Sequence, residues 1–160
     1  MKKKERRGFT AIELLLVVAM ILILGIVSFS TLSGRKGKTD LLGERDQMVG
    51  LLRQAQSYSV SQSSSTLWGV HFDNTGAKPF FALYHTAYST STTIGYYGLP
   101  SSLAYVATSV PAGRYVEISF QQLSGLLVSN SSSSVAIYAP SALGIGSSTI
   151  SVSSAGSVSF

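Results

Sequence analysis

The chain has 160 residues, 45% hydrophobic and 12% charged, with twelve Lys and Arg against seven Asp and Glu and an isoelectric point near 9.6. It contains no cysteine, which excludes a disulfide framework and any thiolate metal or redox site. Nor does the basic excess describe a nucleic-acid surface: Lys2, Lys3, Lys4, Arg6 and Arg7 crowd the first eight positions against Glu5 alone. Beyond Lys38, only Arg45, Arg53, Lys78 and Arg114 face Asp40, Glu44, Asp46, Asp73 and Glu117.

The basic leader runs through Gly8-Phe9-Thr10-Ala11-Ile12-Glu13 into an apolar stretch, and from Leu14 to Gly34 there are 21 consecutive uncharged residues. At about 1.5 Å per helical residue this is long enough to cross a bilayer core. The run is too long for an ordinary secretory signal, and small residues for a cleavage site just beyond it are only weakly available around Ser28, Ser30 and Ser33. A carboxylate at Glu13 costs on the order of a few kcal/mol in lipid and calls for a cationic partner. It can also serve its own helix, whose first four N–H groups have no intrahelical acceptor.

The segment Arg6-Arg7-Gly8-Phe9-Thr10-Ala11-Ile12-Glu13-Leu14-Leu15-Leu16-Val17-Val18 resembles the class III signal of type IV pilins and type II secretion pseudopilins. The resemblance implies that a prepilin peptidase cuts between Gly8 and Phe9 and methylates the new Phe9 amine. Glu13 then becomes the fifth residue of the mature chain. It also implies an assembly role, in which Glu13 of an incoming subunit meets the Phe9 amine of its neighbour and sets the axial register of a helical filament. The five leader cations outnumber Arg35, Lys36 and Lys38, so the N-terminus is expected in the cytoplasm and the remainder outside.

Arg35, Lys36 and Lys38 then fall at the outer membrane face, where long cationic side chains reach the headgroups. Gly34 and Gly37 lower helix propensity there, with local unwinding in a filament as the alternative. From Thr39 a helical pattern resumes, with Thr39 or Asp40 available as an N-cap. Leu41, Met48, Leu52 and Ala55 share one face, widened by Leu42 and Val49, while Glu44, Arg45, Asp46 and Arg53 are expected on the wet side. The pattern ends in the serine-rich segment 57–65. With the apolar helix before it, it resembles the bipartite N-terminal helix of pilins, without the proline that often bends that helix.

Strands are expected at 67–72, 79–84, 103–109, 115–120, 135–138, 149–152 and 157–160, from alternating or β-branched runs. Ser153-Ser154-Ala155-Gly156 is a hairpin signal between the last two. The organisation expected is a cleaved leader at 1–8, a transmembrane and assembly helix at 9–34, a juxtamembrane segment and amphipathic helix at 35–66, and a β-rich extracytoplasmic domain at 67–160. This is an α+β, pilin-like architecture: a long N-terminal helix packed on an antiparallel β-sheet domain.

A second resemblance narrows the group. Leu52-Arg53-Gln54-Ala55-Gln56, then Trp68-Gly69-Val70-His71-Phe72, Ile118-Ser119-Phe120, Ile150-Ser151-Val152 and Gly156-Ser157-Val158 together look like the GspH/FimT minor pilins and pseudopilins. The major pseudopilins hold calcium in an acidic C-terminal loop, and no acidic residue follows Glu117 here. Two histidines, His71 and His85, and few carboxylates offer no catalytic or metal constellation, so enzyme activity, a cofactor and a metal are not expected. Tyr84 to Tyr105, with Tyr88, Tyr96 and Tyr97, either presents a contact surface or packs the sheet.

The function expected is that of a structural subunit, of minor abundance, in a type IV pilus or type II secretion pseudopilus. Its expected partners are prepilin peptidase, other pilins, the inner-membrane assembly platform and membrane lipid. The alternative is an unprocessed, single-pass membrane-anchored binding domain at the surface. The shared helix does not distinguish a pilus from a competence apparatus or a secretion system.

Overall fold

One helix, α1 (Ala11–Val60, 50 residues), dominates the molecule. The computed structural model describes residues 10–140 and 146–160, so the processing pair Gly8 and Phe9 lies outside the described residues. At 1.5 Å per residue α1 is about 75 Å long. Thr10 caps it: Thr10 Oγ1 accepts from the Glu13 N–H at 3.3 Å, and Thr10 O accepts from Glu13 N at 3.1 Å and Leu14 N at 3.2 Å. The far end closes at Ser61, whose N–H donates to Ser57 O at 2.9 Å.

The helix passes through Gly34 and Gly37 without a break, so no new N-cap forms at Thr39 or Asp40. Each glycine costs about 1 kcal/mol relative to alanine, but propagating an established helix avoids the larger cost of nucleating a second one. Leu41, Met48, Val49, Leu52 and Ala55 are buried as expected, Met48, Leu52 and Ala55 completely. Leu42 is 40% exposed and Leu51, at 5%, takes its place on the inner face. Glu44 departs further. It follows Leu41 by three positions and precedes Met48 by four, which puts it on the inward side, and it is half-buried.

Among the described residues, eight strands form two antiparallel sheets of four. The first has the order β3-β2-β1-β5, from β1 (Trp68–Asp73), β2 (Phe80–His85), β3 (Thr93–Gly98) and β5 (Tyr115–Phe120). The second has the order β4-β6-β7-β8, from β4 (Ala104–Tyr105), β6 (Ser133–Tyr138), β7 (Ser148–Val152) and β8 (Val158–Ser159). The C-terminal half of α1 packs against both, burying Trp68, Val70 and Phe72 of β1, Phe81 and Leu83 of β2, Ile118 and Phe120 of β5, and the Val135, Ile137, Ile150 and Val152 row of the second sheet. Full burial of each large side chain contributes about 1.5–3 kcal/mol.

Two expectations need correction. β3 was not expected, because Gly95 and Gly98 interrupt its alternation. The strand expected at 103–109 shrinks to Ala104–Tyr105, because the chain turns at once: Ser109 N and Val110 N both donate to Val106 O, at 2.9 and 3.1 Å.

Polar contacts tether the end of the helix and the turn after it to the β domain. Ser59, fully buried, accepts from Trp68 N at 3.1 Å and donates from its hydroxyl to Phe120 O at 3.1 Å. Trp68 Nε1 donates to Ser63 O at 2.8 Å, and its ring lies 4.6 Å from that of Tyr58. Gln56 Nε2 donates to Gly125 O at 3.2 Å, beside the β7–β8 turn. In that turn Gly156 has φ +83°, and a Cβ there would fall on Gly125 O and Gln56 Nε2, so the position requires glycine twice over.

Candidate functional site

The sequence places the assembly chemistry at the start of α1. From Ile12 to Ile26 the large apolar side chains are exposed, from 47% at Val17 to 74% at Ile12, and no part of the β domain covers them. Ala11, Leu14, Leu15, Val18, Ala19 and Leu22 line an apolar groove of about 420 Å³ along this bare helix. Glu13 lies on the opposite side of the helix from that groove, at the third helical position behind the Thr10 cap, where a carboxylate favours the positive end of the helix dipole. Among the described residues it has no ion-pair partner. The cap is legible in the Thr10-Ala11-Ile12-Glu13 spacing, a capping-box pattern of which the sequence reading used only Glu13.

Among the described residues no helix is long and apolar enough to cross a membrane. The expected span, 9–34, takes in Phe9 and the side chains of 27–34, which lie outside the described set.

The second concentration of chemistry is on the outer face of the first sheet. Residues opposite one another across antiparallel strands share a face, and the register sets Glu117 of β5 beside His71 of β1, and Tyr84 of β2 beside Gly69. His71 is 2% exposed. Its Nδ1 lies 2.9 Å from Glu117 Oε1 and its Nε2 3.3 Å from Asp73 Oδ2. Its ring stacks on Tyr88 at 3.6 Å between centroids, with 3° between planes, and Tyr115 flanks it at 5.0 Å. Gly69 makes room for this layer: a Cβ there would lie 2.8 Å from Ile118 O and 2.9 Å from the Tyr84 ring.

The electrostatics follow from the packing. Burial pushes the Asp73 carboxyl up, but hydrogen bonds from the Thr75 hydroxyl and N–H, at 2.6 and 2.7 Å, and from His71 outweigh it and hold the group below the ordinary carboxylate value. Tyr84 and Tyr88 are raised above an ordinary tyrosine, first by burial and then by Glu117 beside Tyr84, and by Asp73, Tyr96 and Glu117 around Tyr88. A carboxylate thus lies within hydrogen-bond reach of each ring nitrogen of His71. The carboxylates sit at opposite edges of the ring and do not converge on a point; among the described residues no three His, Cys, Asp or Glu are placed to hold a metal ion.

The tyrosine interval therefore divides. Tyr84 and Tyr105 are buried at 2% and 4%, Tyr97 packs against the core, and Tyr88 covers His71, so most of the interval packs the sheet. Tyr96 is 61% exposed and, with Tyr88, Thr90, Thr93 and Ile94, lines an open groove of about 300 Å³. His85 packs tilted against the Trp68 ring, 5.4 Å between centroids, as a packed strand histidine.

No family model matches the chain, and no curated protein matches its sequence. A solved structure shares its fold: the type IV minor pilin FimU of Pseudomonas aeruginosa, with a TM-score of 0.55 and 16% sequence identity over 77% of this chain and 89% of that one. At this identity the likeness is one of fold. What the two share is a long N-terminal helix laid on antiparallel sheets.

Proposed function

We infer that the chain is a structural subunit of a type IV pilus or type II secretion pseudopilus, of minor abundance and of the GspH/FimT kind. The observation that carries this reading is the division of α1. Its C-terminal half packs into the core of the β domain, while its N-terminal part extends past that domain with a bare apolar surface at Ile12–Ile26 whose one charge is Glu13. Such a surface needs a lipid or protein environment.

In this reading the leader 1–8 is removed by prepilin peptidase between Gly8 and Phe9, and Phe9 is N-methylated. The helix at 9–34 crosses the inner membrane with the N-terminus cytoplasmic, then leaves lipid for the helical bundle of a filament with the help of the assembly platform. Glu13, exposed in the single chain, pairs there with the Phe9 amine of a neighbour. The β domain stays outside the cytoplasm. The fold shared with a minor pilin supports the subunit role, and the exposed carboxylate at the capped start of a bare apolar helix supports assembly through the helix.

Mass spectrometry of the chain extracted from membranes tests the processing. A chain beginning at N-methylated Phe9 is the expected result. One beginning at Met1, or after Ser33, would favour a membrane-anchored surface domain that is never assembled.

A further inference from the structure

The His71 cluster has no part in assembly through the helix, and it holds down a loop. Residues 86–92 join β2 to β3 and leave the sheet at Thr86, whose N–H donates to Leu67 O at 2.9 Å. Hydroxyls knit the loop together: Thr92 Oγ1 donates to Ala87 O at 2.6 Å, Thr93 Oγ1 donates to Ser89 O at 2.8 Å, and Ser89 N donates to Thr92 Oγ1 at 3.0 Å. From this preformed loop the Tyr88 ring reaches back over the sheet. It stacks on His71 at 3.6 Å, with Tyr84 at 6.0 Å and Phe80 at 6.4 Å beside it.

Around His71 stand Asp73 of its own strand, Glu117 and Tyr115 of β5, Tyr84 of β2 and Tyr88 of the loop, with Tyr96 of β3 beyond Tyr88. Among the described residues no Lys or Arg bridges either carboxylate, so the imidazole is the group placed to neutralise them. A neutral imidazole has one N–H and one lone pair, whereas an imidazolium has two N–H groups. The neutral ring therefore bonds one carboxylate and turns a lone pair on the other, at 2.9 or 3.3 Å. The imidazolium bonds both and lays a cation face to face with the Tyr88 ring.

We propose that His71 is a proton-operated latch for the 86–92 loop. The imidazolium ties Asp73 to Glu117 and holds the Tyr88 ring down. Loss of its proton frees that ring, which is one wall of the groove shared with Thr90, Thr93, Ile94 and Tyr96. The direction follows from charge: the closed loop is favoured where the ring is protonated, and is released as pH rises through the interval of about 5 to 8 in which histidine changes charge. The neighbours do not switch over that interval. Asp73 is held below the ordinary carboxylate value and stays ionised, and Tyr84 and Tyr88 are raised above an ordinary tyrosine and stay neutral. The latch is separate from the bare part of α1 and does not depend on the filament reading.

The test is NMR of the full-length chain in detergent micelles, with its histidine and tyrosine rings labelled with carbon-13, titrated from about pH 5.5 to 8. His71→Gln and Tyr88→Phe assign the two rings. The Tyr88 signals, displaced in acid by the ring stacked on it, should move towards those of an exposed tyrosine as pH rises, with the midpoint of the His71 ring itself. They should stay fixed in His71→Gln, while His85 titrates as in the parent. Glu117→Gln is the second variant, at a side chain 38% exposed, with circular dichroism to check each fold. Removing that carboxylate disfavours the imidazolium, so the His71 and Tyr88 midpoints should both shift to lower pH. Tyr88 signals that do not move across the range, that move equally in His71→Gln, or that keep the parent midpoint in Glu117→Gln would overturn the proposal.

Discussion

Ser59→Ala should be among the most damaging single-atom changes in the molecule. The hydroxyl is fully buried and stands between two backbone groups, taking the Trp68 N–H and bonding the Phe120 carbonyl, both at 3.1 Å. Alanine fits the space, so no cavity or clash confuses the result. What changes is that a donor and an acceptor between helix and sheet lose their partner. Each buried group left unsatisfied costs about 1–3 kcal/mol, so the pair should cost about 2–5 kcal/mol, a large share of the roughly 5–15 kcal/mol that holds a typical domain. Urea unfolding followed through Trp68, the one tryptophan, reports on the site directly, since that ring packs tilted against Tyr58, the helix neighbour of Ser59. The midpoint should fall with the slope unchanged. Ser61→Ala is the control, because its hydroxyl bonds Tyr58 O at 3.3 Å on the exposed side. A loss at Ser59 no larger than at Ser61 would refute the tether.

Gly156→Ala should destabilise by more than the usual strain of a positive φ, on the order of 1–3 kcal/mol, because the added methyl meets Gly125 O and Gln56 Nε2; thermal melts against Gly146→Ala, whose Cβ meets nothing within 4 Å, measure the difference. Asp73 is held below its ordinary value in the folded state, so its contribution is present above that ordinary value, near pH 4, and is lost as pH falls through the folded value. Asp73→Asn should therefore weaken the protein at pH 7, with the gap to the parent narrowing in acid. Glu44 has the opposite sign: burial first and then Asp40 push its carboxyl up, and Oε2 is buried without a hydrogen-bond partner among the described residues. Its ionised form is thus disfavoured in the fold above the raised value and relieved below it. Glu44→Gln should stabilise at pH 7 and lose that advantage near pH 4 in the same unfolding assay.

What was legible in the chain was whatever depends on neighbours in sequence. Trp68–Phe72 and Tyr115–Phe120 alternate, so their strands and the inward Trp68, Val70, Phe72, Ile118 and Phe120 could be read directly. The Ser153–Gly156 turn has the glycine it needs. β3 escaped because Gly95 and Gly98 hide its period, and only pairing with β2 makes it a strand. The His71 cluster escaped for a different reason: Glu117 is 46 residues away, and nothing local brings it to the ring. Glu44 was misplaced because a charge suggests the wet side, while its spacing from Leu41 and Met48 points inward. At the bare end of α1, Glu13 was recognised from its chemistry, and Thr10 was overlooked although both belong to one capping pattern.

Assembly through the bare helix is the centre of the functional reading, and Glu13→Leu tests it most directly. The substitution removes the one charge between Phe9 and Arg35, so membrane insertion should be undiminished. A neighbour's Phe9 amine would then enter the bundle unpaired, and leaving one member of a buried ion pair without its partner commonly costs about 3–5 kcal/mol. The measurement is crosslinking of the Glu13→Leu variant to partner pilins in cells, after immunoblots have established insertion and cleavage. A steep loss of crosslinks in a chain that is inserted and cut normally is expected; crosslinks at the parent level would contradict the reading and leave Glu13 as a residue of the helix cap.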